Sequence, residues 1–171
     1  MENKMNRRMT LALGTMALLG MGLAIPTSDA VAQTAQDLVG SWTLVSGQTV
    51  QPDGKKSPTF GANPRGILIF GSDGRFSYLF TSADLPKFAS NNRGTGTPKE
   101  NTAVVRGSIA TFGTYSVVDK GLVIKVEFST FPNWNGTEQK RTIAISGDEM
   151  KWTNPAGSAG GVAELGFKRA K

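Results

Sequence analysis

Leu38–Val45 reads Leu-Val-Gly-Ser-Trp-Thr-Leu-Val, an apolar run with a glycine and, two positions later, a tryptophan. A glycine in a strand lets another stretch of backbone approach closely, and a bulky indole fills the narrowing interior of a small closed sheet. We therefore expect Gly40 and Trp42 to lie on the first strand of a small β-barrel, with Trp42 plugging its closed end. A barrel of this kind is a cup that can hold a small apolar molecule.

The residues before this run have the organisation of an export signal. A positively charged start that includes Arg7 and Arg8 leads into the apolar run Leu11–Ile25, and Ala30–Ala32 fits the small-x-small cleavage pattern. The apolar run is shorter than the ~20 residues that span a bilayer. We expect residues 1–32 to be a signal peptide cleaved after the third of these small residues, which makes the mature protein periplasmic or secreted, with no stable membrane anchor. A retained anchor is the alternative, and the sequence leaves open whether export follows the Sec or the twin-arginine route.

The composition of the remaining residues, 33–171, fits one domain with a hydrophobic core. The chain has no cysteine, so disulfides are excluded, and no histidine, so Ser-His-Asp catalysis and the commonest metal ligand are excluded too. Its positive charges are scattered rather than gathered into a basic stripe with aromatic residues, so we expect no nucleic-acid partner. We predict no metal and no cofactor. The oligomeric state cannot be predicted.

Short runs of β-branched and aromatic residues alternate with turn signals over the whole domain. Asp73-Gly74 and Gly147-Asp148 are typical of hairpin turns. The pattern predicts an all-β fold, an antiparallel up-and-down barrel of about eight strands, the number at which a closed barrel holds one small ligand. The predicted strands are Gly40–Val50, Arg65–Phe70, Arg75–Thr81, Phe112–Val118, Leu122–Thr130, Glu138–Ser146, Glu149–Thr153 and Ala163–Lys168.

The connection between the third and fourth predicted strands, residues 82–106, does not have a strand pattern. Ser82–Phe88 suits a short helical turn. Thr97, Pro98 and Glu100 combine an N-cap residue, a proline at the first helical position and an acid at the third, which predicts a helix running to about Arg106. An insertion of this kind lies across one mouth of a barrel, where it is either a lid or a plain surface crossover.

Several blocks of the chain, in this order and spacing, resemble the bacterial lipocalin-like domain family. The blocks are Leu38–Val45, Asn63–Phe70 with Asp73–Arg75, Phe112–Val117, and Phe131–Gly136 with Arg141. The resemblance implies a lipocalin-like barrel, but that family is defined by its fold and supplies no specific function. Many members carry a histidine where this chain has Ile124 and Lys125.

Lipocalins also place a basic side chain near the end of the last strand, above the opening tryptophan. The resemblance therefore implies a structural role for Arg169, whose guanidinium can lie on the Trp42 indole in a cation–π contact. Lys168 is the other basic residue at this position.

Alternation within the strands selects the side chains that face the interior. On this basis Phe76, Tyr78, Phe128 and Arg141 point inward, while Tyr115 lies on a strand with apolar residues on both faces. Trp134, in a polar loop, is a candidate for the rim. The predicted ligand-binding residues are therefore Tyr78, Tyr115, Trp134, Arg141, Phe76 and Phe128.

Arg141 raises the sharpest question, because a buried guanidinium needs a partner. A ligand carboxylate, a backbone carbonyl and a loop acid such as Asp84 are the three alternatives.

These residues favour an exported protein that binds a small apolar or amphipathic molecule inside the barrel, with Tyr78 and Arg141 orienting a polar end. We assign no catalytic residue, and binding is favoured over catalysis. One alternative is an isomerase or cyclase acting on a small hydrophobic substrate in the same cavity. Another is an envelope or stress factor whose barrel is filled by its own side chains.

Overall fold

The alternating runs fold as antiparallel strands in a computed structural model that describes residues 34–119 and 121–171. A single turn of helix, α1, precedes the strands, and a longer helix, α2, interrupts them. The helices are α1 (Ala35–Leu38) and α2 (Pro98–Gly107), and the strands are β1 (Gly40–Val50), β2 (Lys56–Pro58), β3 (Pro64–Phe70), β4 (Arg75–Ser82), β5 (Ser108–Val118), β6 (Gly121–Ser129), β7 (Glu138–Ser146), β8 (Glu149–Asn154) and β9 (Val162–Arg169).

Strands β1 and β3 to β9 form one closed barrel. Each pairs antiparallel with its neighbour in the chain, and β1 also pairs with β9, which closes the sheet on itself. The predicted eight-stranded antiparallel barrel is therefore confirmed. The short β2 was not predicted; it adds to the end of β1, where Lys56–Pro58 pairs with Gln48–Val50.

The connections sort into two kinds, one at each end of the barrel. The links from β3 to β4, β5 to β6 and β7 to β8 are short and lie at the end that also carries the start of β1 and the finish of β9. The longer links, residues 51–63, 83–107, 130–137 and 155–161, all lie at the opposite end. The barrel thus has a tightly turned end and an end surrounded by loops.

Trp42 fills the tightly turned end. Its side chain is fully buried, and its Nε1 donates a hydrogen bond of 2.8 Å to the Leu38 carbonyl. The Arg169 guanidinium lies 4.2 Å from the indole centroid and donates to the carbonyls of Val39 (3.0 Å) and Asp37 (2.9 Å). Gly40 adopts φ +121°, a conformation that favours glycine, directly beside this guanidinium.

Helix α2 begins at the predicted capping box. The Thr97 hydroxyl accepts from the Glu100 backbone N–H at 3.3 Å, and the Glu100 carboxylate accepts from the Thr97 N–H at 2.7 Å. The predicted helix between the third and fourth barrel strands is confirmed. None of its residues is buried, so α2 rests on the barrel without being part of the core.

Two expectations for this region were wrong in detail. Ser82–Phe88 forms no helical turn, because β4 continues to Ser82, whose hydroxyl then accepts from the Asp84 N–H at 3.1 Å, and Pro86 disfavours a helical conformation at Leu85. The fourth barrel strand begins at Ser108, earlier than predicted.

The predicted signal peptide, residues 1–32, and its cleavage site lie outside the described residues. Within residues 34–119 and 121–171, no helix is long and apolar enough to cross a membrane.

Candidate ligand-binding cavity

The loop-bearing half of the barrel encloses a cavity of about 500 Å³. Its wall is made by the ends of the strands, and its mouth by Phe60, the end of α2, the Phe131–Trp134 segment and the glycine-rich loop Gly157–Gly160. The volume lies within the range of about 300–1,000 Å³ that is typical of small-molecule sites. One alternative from the sequence required a barrel filled by its own side chains. The loop-bearing half of the barrel instead contains this cavity.

Aromatic rings form much of the cavity wall. Tyr78 and Phe80 are stacked with centroids 4.4 Å apart and planes at 5°, and Phe131 meets Trp134 edge to face at 5.5 Å. Phe60 and Trp152 complete this set of lining rings. Flat, polarisable rings of this kind favour a ligand that is itself flat or aromatic.

Tyr78 brings a hydroxyl into this apolar wall. The residue faces Thr111 across the β4–β5 pair. Burial raises the pKa of Tyr78, an effect opposed in part by the nearby Thr111 side chain and by the charge of Arg141. The phenol is therefore neutral near pH 7, where it can donate or accept a hydrogen bond but does not act as a base.

Arg141 is the charged group of the cavity wall. Alternation along β7 turns it inward, where its side chain is only 5% exposed. Its Nη1 donates to the Lys140 carbonyl at 3.1 Å, and its Nη2 donates to Oε1 of Gln139. The Trp134 ring lies 5.7 Å from the guanidinium. Burial lowers the pKa of Arg141 to about 10, so the group still carries its charge at neutral pH.

The polar contacts of Arg141 are incomplete. Its buried Nε has no hydrogen-bond partner. No carboxylate of residues 34–119 or 121–171 lies within ion-pair distance of it. Asp84, one alternative partner, is exposed and forms no such pair, so that alternative was wrong; the Lys140 carbonyl supplies the backbone alternative only in part.

Two of the predicted ligand-binding residues, Phe76 and Tyr115, lie in the core outside the cavity, and a third, Phe128, lies on the outside of the barrel. Phe76 is buried and packs on Tyr78 with centroids 6.1 Å apart, on the side away from the mouth. Tyr115 is in the closed half, where its hydroxyl donates to the Gly71 carbonyl at 2.9 Å. Both belong to the core beneath the cavity rather than to its wall.

The inward orientation predicted for Phe128 was wrong. A bulge in β6 opposite Phe112 and Gly113 shifts the register, so alternation fails beyond Val126. Phe128 is therefore 62% exposed and packs against Phe112 on the outside of the barrel, with centroids 5.9 Å apart. Glycine is needed at the bulge, because a Cβ at position 113 would lie 1.9 Å from the Lys125 carbonyl oxygen.

Several lining residues had not been singled out as ligand contacts from the sequence. Phe60, the loop Gly157–Gly160 and Arg106 at the end of α2 belong to connections, whose path over the mouth has no periodic signal. Among the described residues, no cluster of three or more metal-ligating side chains is present.

Comparisons with known proteins agree with this architecture. A family model described as a lipocalin-like domain matches residues 39–169. The 4′-hydroxy-3′-methoxypropiophenone carrier protein of Aspergillus oryzae is 33% identical over 64 residues, which cover 33% of this chain and 58% of that protein. The match of the family model over nearly the whole barrel shows that this chain belongs to the lipocalin-like domain family.

Proposed function

We propose that this protein binds and carries a small aromatic or amphipathic molecule in its barrel, outside the cytoplasm. The observation that carries the proposal is the ring-lined cavity of about 500 Å³ beneath the loop-bearing end. Such a cavity offers a flat ligand apolar contact on several sides, while Tyr78 and Arg141 offer polar groups to one end of it.

The relative from Aspergillus oryzae supports the ligand class. The molecule in its name has an aromatic ring that carries a hydroxyl, a methoxy and an acyl group. A ring with polar substituents suits a cavity that combines Phe80 and Trp152 with the hydroxyl of Tyr78 and the guanidinium of Arg141. Because the aligned segment covers 58% of the relative, a shared ligand is part of the proposal.

The rival isomerase or cyclase has less support from the cavity. Among the lining residues that the structure describes there is no aspartate or glutamate, so the wall offers no carboxylate base, and Tyr78 is neutral. Liquid chromatography coupled to mass spectrometry of organic extracts of the purified protein separates the two functions, because an isomer or a cyclised product has the same mass but a different retention time. A carrier returns an added ligand unchanged, and an enzyme returns a product.

The direct test is a titration followed by tryptophan fluorescence, since Trp134 and Trp152 both line the cavity. We expect 4′-hydroxy-3′-methoxypropiophenone to change the emission saturably. Ala163→Leu places a larger side chain at a buried lining position and should weaken binding while the protein stays folded. Binding that is absent, or that the variant leaves unchanged while its unfolding transition is intact, contradicts a cavity ligand of this class.

A further inference from the structure

We infer that the cavity takes its ligand as an oxyanion, a phenolate or a carboxylate, held against Arg141, rather than as a neutral ketone or alcohol. This inference rests on the proposed function and adds the charge state and chemical class of the ligand.

The first argument is the uncompensated charge of Arg141. Arg141 is only 5% exposed, its Nε is an orphaned donor, and its two hydrogen-bond acceptors, the Lys140 carbonyl and the Gln139 amide, are neutral. A buried cation without an anion is costly, so proteins almost always pair it. Here residues 34–119 and 121–171 supply no such anion.

The second argument is the charge of the rest of the wall. Arg106, on α2 at the mouth, is a second cation among the lining residues, and the described lining includes no acid. The strands that flank β7 turn uncharged side chains inward, Leu122 from β6 and Trp152 from β8, and the loop after β6 contributes the Trp134 ring. The titratable group of the described residues that acts on Arg141 is the neutral phenol of Tyr78, and Arg106 is exposed at the mouth. The described lining therefore carries two positive charges and no negative one.

These features favour an anionic ligand group over a neutral acceptor as the partner of Arg141. The sequence alone left this choice open. A ketone oxygen could accept a hydrogen bond from the guanidinium of Arg141, which lines the cavity, yet it would leave the buried charge uncompensated. An oxyanion accepts the same hydrogen bond, which becomes charge-assisted and stronger, and also neutralises the cation. The Tyr78 hydroxyl is a further donor on the same wall.

The test compares pairs of ligands that differ in one acidic proton. In 4′-hydroxy-3′-methoxypropiophenone the acyl group withdraws electrons from the phenol and makes it more acidic than tyrosine, whose pKa is about 10. In 3′,4′-dimethoxypropiophenone a methyl group replaces that proton. The second pair is 3-phenylpropionate and 3-phenylpropanol. We expect each acid to bind about 10- to 100-fold more tightly than its neutral partner above the acid's own pKa, the range of a charged hydrogen bond.

Two readouts report the charge state itself. The bound phenol should show the long-wavelength absorption of its phenolate at a pH where the free phenol is still protonated. Below the phenol's own pKa, the apparent affinity should fall as the pH falls, because fewer ligand molecules are ionised, and it should level off about 10- to 100-fold lower, where the neutral phenol is the form that binds.

Arg141→Met keeps much of the side-chain volume and removes the charge. It should erase the preference for the acids and the phenolate spectrum, so that the two members of each pair bind the variant with similar affinity. The matched control is Arg65→Met, which removes an exposed guanidinium on β3 outside the cavity lining and should leave every affinity unchanged.

The outcomes separate the two proposals. Equal binding of acid and neutral partner in both pairs, or an acid preference that survives Arg141→Met, overturns the oxyanion and leaves the carrier function intact. If no member of either pair binds, the carrier function for this ligand class fails, and the oxyanion fails with it.

Discussion

Trp42 and Arg169 join residues that are far apart in the chain. The indole lies under the guanidinium, and that guanidinium donates to two carbonyls that precede β1. The structure has the cation–π contact between Arg169 and Trp42 that the resemblance to lipocalins implies. A bulky side chain in a fully enclosed position cannot be removed without leaving a cavity.

Replacing Trp42 by alanine should therefore lower the free energy of unfolding by about 3–5 kcal/mol, the range for a large core aromatic. Urea unfolding measures this loss. Trp134→Ala is the matched control; because its ring is only partly buried at the mouth, it should cost clearly less. A loss below about 1 kcal/mol for Trp42→Ala would show that the indole does not close the barrel.

We expect Arg141 to have the opposite effect and to lower stability in the absence of ligand, because it is a buried charge without a charged partner among the described residues. Its pKa is lowered by burial to about 10, so the folded protein holds its proton less firmly than the unfolded chain does. Arg141→Met should raise the free energy of unfolding by about 1–3 kcal/mol, as when an uncompensated buried charge is replaced by an apolar side chain. Denaturant unfolding of the protein, the variant and Arg65→Met checks this.

Proton linkage predicts how the difference in free energy of unfolding between the protein and Arg141→Met depends on pH. Between about pH 10 and the higher, ordinary pKa of arginine, the unfolded chain binds more protons than the folded one at this site, so the stability of the original protein rises with pH. The advantage of Arg141→Met should be constant below about pH 10 and shrink above it. An advantage that instead grows above pH 10 would contradict the assignment of the cost to this buried charge.

At the scale of elements, the strands and helix α2 could be predicted from local sequence patterns. The exceptions depend on contacts between segments that are distant in the chain. The capping box at Thr97 predicted α2, and alternation predicted an inward Arg141. Alternation failed at Phe128, because the bulge depends on how β6 meets β5 and not on β6 alone. The rim residues Phe60 and Arg106 could not be predicted, since the path of a long loop is set by what it packs against.

The bulge makes its own prediction at Gly113. A methyl group there would collide with the Lys125 carbonyl oxygen, so β5 and β6 would have to separate or shift. Gly113→Ala should cost about 1–3 kcal/mol, the range for forcing extra volume into a packed site. Thermal or urea unfolding tests this against Ser116→Ala, an exposed position on the same strand, where we expect almost no change. If the two variants are equally stable, the bulge does not depend on glycine.

At the scale of the whole molecule, the two ends of the barrel divide its tasks. The tightly turned end holds Trp42 and the packed core, and the loop-bearing end holds the cavity. Export would place this cavity where it meets molecules outside the cytoplasm, as the proposed carrier function requires.

Export has a direct test. When the full chain is expressed in a bacterial host, we expect the protein recovered outside the cytoplasm to begin at Gln33, because cleavage follows the small-x-small site at Ala30–Ala32. Intact-mass measurement decides this. Recovery of all 171 residues in the membrane fraction would show that the leader is kept as an anchor.

The pairing of β1 with β9 also governs how fast the protein can fold. Gly40–Val50 finds one of its neighbours in β3, within a few tens of residues, but the other neighbour, Val162–Arg169, lies more than a hundred residues further along. Bringing such distant segments together lowers the chain entropy before any stabilising contact between them has formed. Barrels of this topology therefore refold in milliseconds to seconds rather than in microseconds. Until β9 arrives, the free edge of β1 is open to other strands, including those of other molecules. The protein concentration during refolding should therefore decide between closure of the barrel and aggregation.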